Sequence, residues 1–572
     1  MVNIIINGRP LSVKEGTTIL DAAKENGIYI PTLCYFKDLN EIGACRICVV
    51  EIKGSDRLSA ACNTVVSEGM DILTDSDRVI AARKTNLSLI LSQHRCECPT
   101  CIRNGNCTLQ KLCEKYGILS LPYDKKVPSD RHNDVDPIVK DESKCIKCLR
   151  CVNVCEKIQE LGVWQLNGSG AHAKVVLREG LTMADSNCTY CGQCVTHCPV
   201  GALYARDDTA KAFAALSDKN KVKVIQIAPA VRAAWGDGLG IDASLATEKR
   251  MATAAKALGA DYVFDTNFTA DLTIMEEGSE LLDRIKNGGK MPMFTSCCPG
   301  WVRFVKQEYP DLTENLSTAK SPQQMFGAVA KSYFAKKLGV SAENIVCISI
   351  MPCSAKKYEC DVKEINSASD KDVDIVLTTR EFARMIKARN IDVASLGETE
   401  FDSPLGTGSG AAVIFGATGG VMEAALRSAY FLLTGKNPDP DGFRTVRANG
   451  NNGIRTAEVT IAGKTVKAAV ASGLANARKI CEDILSGKAD YDFVEIMACP
   501  GGCAGGGGQP ISDGEELASE RGARLYDIDG ANPIRFSHEN PEVKALYDEE
   551  LGAPLSEKAH ALLHTEQKDW SL

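Results

Sequence analysis

Runs of apolar, β-branched residues alternate with helical periodicity along this chain, and the texture changes near residue 208. Val2–Ile6 alternates as a strand, Asn7-Gly8 signals a tight hairpin turn, and a second short strand follows at Leu11–Val13. A helix around Thr18–Lys24 stops near Gly27. From Thr209 onward, strand-like runs occur at Val222–Ile227, Tyr262–Phe264, Met293–Thr295, Ile345–Ile350, Asp374–Leu377 and Phe493–Met497. Helical stretches such as Ser321–Leu338 and Gly420–Leu433 separate them. This alternation predicts an α/β domain with a largely parallel sheet, whose ligands bind beyond the carboxyl ends of the strands.

A chain of 572 residues exceeds what one hydrophobic core supports, so several domains are expected. Apolar content of 44% and charged content of 24% are those of a soluble globular protein. A net charge of −8 disfavours nucleic acid as a partner. The absence of a basic leader or an 18-residue apolar span predicts a cytoplasmic protein without membrane contact.

Cysteine placement changes the picture most. Seventeen of the 25 cysteines precede residue 200, in close C-x-x-C spacings that suit chelation better than disulfides. Cys34, Cys45, Cys48 and Cys62 form a first set, with Gly43 and Ala44 leaving room for backbone N–H groups near the sulfurs. With the hairpin and helix before it, this segment resembles a plant-type [2Fe–2S] ferredoxin domain, zinc being the alternative. His94, Cys98, Cys101 and Cys107 form a second set that zinc would also suit. It resembles the histidine-ligated [4Fe–4S] segment of hydrogenases and of the large iron–sulfur subunit of respiratory complex I. Cys96 and Cys113 offer an all-cysteine version.

The next pattern is a repeat. Cys145, Cys148, Cys151 and Cys155 are spaced C-x2-C-x2-C-x3-C, and Cys188, Cys191, Cys194 and Cys198 repeat it before Pro199. In two-cluster ferredoxins the fourth cysteine of each run crosses to the other cluster. That rule pairs Cys198 with Cys145, Cys148 and Cys151, and Cys155 with Cys188, Cys191 and Cys194. Lys144, Lys147 and Arg150, interposed among them, read as a solvated face or as a docking patch for an acidic electron carrier.

Three predicted strands of the second half run into cysteine. Met293–Thr295 leads to Cys297 and Cys298, Ile345–Ile350 to Cys353, and Phe493–Met497 to Cys499 and Cys503. Three converging loops can gather Cys298, Cys353, Cys499 and Cys503 about one cluster, leaving Cys297 over. The glycines of Gly501–Gly508 let backbone approach a bulky cofactor.

The segments Thr295-Ser-Cys-Cys-Pro-Gly-Trp301, Met351-Pro-Cys-Ser-Ala-Lys-Lys-Tyr-Glu359 and Glu495-Ile-Met-Ala-Cys-Pro-Gly-Gly-Cys-Ala-Gly-Gly-Gly-Gly-Gln-Pro510 resemble the three signatures of [FeFe]-hydrogenases. The likeness covers the whole chain and is nearest the monomeric clostridial type with four accessory clusters. It implies a multidomain α+β and α/β protein. A β-grasp [2Fe–2S] ferredoxin-like domain would span 1–80, a histidine-ligated [4Fe–4S] domain 81–125, a two-[4Fe–4S] ferredoxin-like domain 126–208, and the catalytic domain 209–572.

The resemblance also implies an H-cluster: a [4Fe–4S] cubane joined to a diiron unit carrying CO, cyanide and a bridging azadithiolate. Cys298, Cys353, Cys499 and Cys503 would hold the cubane, with Cys503 bridging to the diiron unit. Pro229, Ala230, Gln323, Met351, Lys356, Phe415 and Met497 would surround that unit, Lys356 donating to a cyanide. Cys297 would relay protons through Glu277, Ser317, Glu280 and Arg284, of which Glu277, Glu280 and Arg284 share one helical face. The implied reaction is reversible H2 formation from protons and electrons by a cytoplasmic monomer. A ferredoxin or flavodoxin would serve as carrier, and maturation proteins would supply the diiron unit.

Other features read as structural. Cys347, Cys360 and Cys481 have no ligand spacing and are expected to be buried apolar residues. Gly406-Thr-Gly-Ser-Gly-Ala411 fits a loose dinucleotide-loop pattern but lacks a preceding strand. His538, His560 and His564 are expected on the surface of the C-terminal tail.

Overall fold

A computed structural model describes residues 1–128, 135–447, 453–461, 463–567 and 570. At the N-terminus, β1 (Val2–Ile6) turns at Asn7-Gly8 into β2 (Arg9–Val13), as the apolar alternation predicts. Strands β3 (Val49–Ile52), β4 (Leu58–Ala60) and β5 (Asp71–Leu73) complete a five-stranded sheet of order β2-β1-β5-β3-β4. Helix Ile19–Glu25 lies against it, its first turn capped by the Thr18 hydroxyl. Ile4, Ile6, Ile19, Val50 and Ile72 are buried between them.

Helix Asp77–Ser92 carries the chain to the next cysteine segment. Two small antiparallel pairs follow, β6 (Ile138–Lys140) with β9 (Leu203–Ala205) and β7 (Trp164–Asn167) with β8 (Lys174–Leu177). The repeated cysteine runs lie beside them and share their core with Trp164, Val175 and Leu203.

The second half departs from the single sheet expected. One sheet is wholly parallel, with order β11-β10-β13-β14, from β10 (Val222–Ile227), β11 (Tyr262–Asp265), β13 (Ile345–Met351) and β14 (Ile375–Thr378). Another, of order β12-β17-β16-β15, joins β12 (Met293–Phe294), β15 (Ile454–Ile461), β16 (Lys464–Ser472) and β17 (Phe493–Met497). Only the β15–β16 pair in it is antiparallel. That hairpin escaped the sequence reading because β15 faces solvent on alternate residues and carries few large apolar groups.

Helix Asn267–Asn287 is 21 residues long and mostly buried. Helix Ser321–Leu338 appears as Pro322–Val329 and Ala335–Leu338 joined by a π turn at Ala330–Phe334. Two expectations of exposure are corrected. Lys144 and Arg150 are buried, and Arg150 bonds the carbonyls of Leu33, Cys34 and Tyr35 and the carboxylate of Asp513, tying three modules together. His538 and His564 are also buried, His564 held by Thr318 at 2.8 Å and Glu276 at 3.0 Å; only His560 faces solvent.

Candidate active site

The loops after β10, β12, β13 and β17 meet around a cavity of about 80 Å³. Because β10 and β13 belong to one sheet and β12 and β17 to the other, the cavity sits between the carboxyl ends of two parallel arrays. Cys298, Cys353, Cys499 and Cys503 all line it, together with Cys297. So do all seven residues expected around the diiron unit: Pro229, Ala230, Gln323, Met351, Lys356, Phe415 and Met497. Thr266, Pro322 and Gly416, absent from the sequence-based expectation, complete much of the wall.

The site fits an iron–sulfur centre on its own chemistry. Burial pushes the thiols of Cys298, Cys353, Cys499 and Cys503 above the ordinary value, so a nearby cation is needed to ionise them together. Soft thiolates on three loops suit iron. Cys298 caps helix Pro299–Glu308 and its sulfur accepts from Ala498 N at 3.4 Å, both of which favour the thiolate. Gly507 packs against the Cys191 carbonyl and Gly192, leaving no space for a side-chain carbon there.

Lys356 bonds the Cys297 carbonyl at 3.1 Å and Glu359 at 2.8 Å. Burial opposes its charge, but Glu359 holds its pKa above the ordinary lysine value. Glu359 also accepts from Ser321 at 2.9 Å and Gln323 at 3.1 Å, which leaves Gln323 Oε1 buried without a partner. The organising role of Glu359 was missed in the sequence, although its spacing, three residues after Lys356 on one helix, is the available signal.

From the cavity wall two hydrogen-bonded groups, Ser296–Glu277 and Ser317–Glu280–Arg284, lie along helix Asn267–Asn287. Glu277 is fully buried, accepts from Ser296 N at 3.2 Å, and lies near enough to Cys297 to help push that thiol up. Ser317 donates to Glu280 at 2.7 Å, and Arg284 bonds Glu280 at 2.6 Å. Burial first, and then the Glu280 charge, raises the Glu277 pKa to about 8. Of the five residues expected to carry protons, Ser317, Glu280 and Arg284 are hydrogen-bonded to one another in turn, while Glu277 is bonded to Ser296 and lies near Cys297.

The cysteines of the two repeated runs interleave in space. Cys198 lies among Cys145, Cys148 and Cys151, while Cys155, Cys188, Cys191 and Cys194 influence one another's titration. Cys34 pairs with Cys45 and Cys48 with Cys62, two couples such as a two-iron cluster uses. Asn40 links the carbonyls of Cys34 and Cys148, at 2.6 and 3.0 Å. Gly201 approaches Cys101 so closely that a side-chain carbon there would lie 2.5 Å from the sulfur. The Cys191 carbonyl lies 3.7 Å from Cys499 Sγ. The first two cysteine sets thus both abut the Cys145–Cys198 group, and the second ferredoxin-like group abuts the cavity.

His94 is buried, and burial lowers its pKa to about 4. Its Nδ1 lies 3.0 Å from the Lys144 carbonyl; with the proton there, Nε2 keeps a free lone pair, as in a metal-binding histidine. His94→Ala is expected to remove one [4Fe–4S] signal from the EPR spectrum of the reduced protein. An unchanged set of signals would move the fourth ligand to Cys96 or Cys113.

Cys347, Cys360 and Cys481 are buried in apolar clusters, as expected of small hydrophobic residues. The glycine-rich stretch at 406–411 follows no strand; Ser409 caps a short helix and bonds Asp271.

The sequence matches the family described as "Iron only hydrogenase large subunit, C-terminal domain" over residues 221–507 and "Iron hydrogenase small subunit" over 515–570. N-terminal matches are a 2Fe-2S iron-sulfur cluster binding domain at 1–77, an NADH-ubiquinone oxidoreductase-G iron-sulfur binding region at 83–120 and a 4Fe-4S dicluster domain at 144–202. The NADP-reducing hydrogenase subunit HndD of Solidesulfovibrio fructosivorans is 47% identical, across 99% of this chain and 98% of its own. Iron hydrogenase 1 of Clostridium pasteurianum is 40% identical, across 99% and 100%. The structure of a variant of apo [FeFe]-hydrogenase HydA1 from Chlamydomonas reinhardtii superposes with a TM-score of 0.56 at 42% identity, covering 63% of this chain and 98% of that one. With the cysteine-lined cavity where the family's cofactor belongs and these likenesses along its length, the chain belongs to the [FeFe]-hydrogenases, enzymes that interconvert protons, electrons and H2 at an H-cluster fed through iron–sulfur clusters.

Proposed function

We propose that Cys298, Cys353, Cys499 and Cys503 would hold the cubane of the H-cluster, and that the seven cavity residues would orient its diiron unit. When bound, the H-cluster would supply the electrons' redox chemistry and the making or cleavage of the H–H bond. The chain's own residues exclude water, fix orientation and carry charge to and from the cavity. Lys356, clamped by Glu359, presents a fixed cation to an anionic ligand in a dry pocket. Cys297 exchanges protons with the cavity, and Glu277, Ser317, Glu280 and Arg284 carry them outward.

Four accessory clusters complete the reading: one [2Fe–2S] on Cys34, Cys45, Cys48 and Cys62, and three [4Fe–4S]. The latter sit on His94 with Cys98, Cys101 and Cys107, on Cys145, Cys148, Cys151 and Cys198, and on Cys155, Cys188, Cys191 and Cys194. The observation that carries this reading is the series of close approaches ending at Cys191 and Cys499. It gives electrons two inlets that merge before the cavity.

The electron partner we assign is a ferredoxin-type carrier in the cytoplasm, acting on a monomer matured by dedicated proteins. Among the described residues no helix is long and apolar enough to cross a membrane. A second reading, subunit of a larger nicotinamide-linked assembly, rests on the name of the 47%-identical relative. Reduced ferredoxin is expected to drive H2 evolution by the purified chain, and NADPH alone is not. NADPH-driven H2 from this chain by itself would overturn the assignment, and dependence on added subunits would favour the second reading.

A further inference from the structure

A cleft separate from the cavity runs between the His94–Cys107 segment and the catalytic domain. Its walls carry Arg103, Lys111, Arg150, Arg380, Arg384, Lys387 and Arg521, but only two acids, Asp237 and Asp513. Both acids are already engaged. Asp237 bonds Arg521 at 3.0 Å, and Asp513 bonds Arg150 at 2.5 Å and also the Thr108 hydroxyl.

Among the described residues, neither Arg103 nor Arg380 hydrogen-bonds a carboxylate. Arg103 is 94% buried and donates only through Nε, to the Asn106 carbonyl at 2.7 Å. Both terminal nitrogens of its guanidinium are shut from solvent without any partner. Arg380 bonds the carbonyls of Gly507 and Gln509, at 2.7 and 2.5 Å. Burial and the neighbouring charges of Arg384, Arg103 and Arg521 press its pKa down to about 9. A buried guanidinium with orphaned donors is costly, and a cluster of them is costlier. Bidentate donation to a tetrahedral oxyanion satisfies both geometry and charge.

We propose that this cleft binds a phosphate-class oxyanion, with Arg103 as its principal donor and Arg380, Arg384 and Lys387 supplying the surrounding charge. The site spans two modules. Arg103 lies two residues from Cys101, and Arg380 grips the glycine-rich loop that follows Cys503. Bound anion would place negative charge beside the His94 segment and disfavour addition of an electron there. The oxyanion can be free phosphate or the phosphate of a nucleotide.

Anaerobic calorimetry on the cluster-loaded full chain, at fixed ionic strength set with chloride, tests this with inorganic phosphate and with ADP in separate titrations. One saturable site is expected, weakened about tenfold or more in Arg103→Gln. Tighter ADP binding that excludes phosphate would identify a nucleotide, and phosphate binding without ADP binding would identify the free ion. Iron content reports whether Arg103→Gln remains loaded, and Arg384→Gln serves in its place if not. A second readout is the midpoint potential of the His94-segment cluster by EPR, expected to fall on phosphate addition in the wild type only. Absence of saturable binding by either probe, or unchanged affinity in the variants, would overturn the proposal. A potential altered by Arg103→Gln with no response to phosphate would assign the orphaned donors to the cluster instead.

Discussion

Replacing Cys297 with Ala is expected to leave iron content unchanged and to lower H2 turnover by about a thousandfold. Cys297 lines the cavity beside the four proposed ligands, yet the thiol is held protonated by burial, with the Glu277 and Cys298 charges adding to the effect. A protonated thiol facing both the cavity and a carboxylate is placed to pass a proton rather than to hold metal. The bond that Lys356 makes here goes to the backbone carbonyl, so Ala preserves it. The small change in volume leaves the loop and its neighbour Cys298 in place. H2 evolution with reduced dye, normalised to iron, is the measurement. Full activity in Cys297→Ala would remove the thiol from the proton route, and loss of iron would show it to be a ligand.

Glu277→Gln is expected to lower turnover by about a hundredfold at every pH. Gln can still accept from Ser296 N, which now donates to Glu277 at 3.2 Å, but carries no proton to transfer. The wild-type carboxyl titrates near pH 8, close to a working pH, which suits both uptake and release. Stability should respond in the same window. The folded-state pKa is raised above the ordinary glutamate value of 4.5, so the folded chain holds a proton that the unfolded chain releases. The contribution is fully present below pH 4.5 and is lost as pH rises toward about 8. Thermal midpoints across that range should fall less steeply in Glu277→Gln than in the wild type. Parallel slopes would place the titration elsewhere, and unchanged turnover would break the proposed route at its second member.

The cysteine runs were legible because their meaning is local. The first three cysteines of a C-x2-C-x2-C-x3-C run are close enough to share one cluster, and a cysteine just past a strand is placed by that strand. The strands β10, β13 and β17 were readable for a similar reason, being runs rich in apolar, β-branched residues and largely buried on both faces. The face shared by Glu277, Glu280 and Arg284 follows from helical period alone.

What sequence could not decide was whatever joins distant segments. The division into two sheets rests on β15 and β16, whose pairing depends on a partner strand rather than on their own pattern. Arg150 looks like a solvated charge until three carbonyls and Asp513 enclose it. His564 belongs to a polar tail in sequence and to a buried pair with Glu276 in space. The meeting of Cys191 with Cys499 brings together residues more than three hundred positions apart. Ligand identity and element type are properties of short stretches, set by side-chain chemistry and backbone period. Burial, pairing and electron contact are properties of the packed whole, because only closure of the core settles which polar groups lose water and which neighbours replace it.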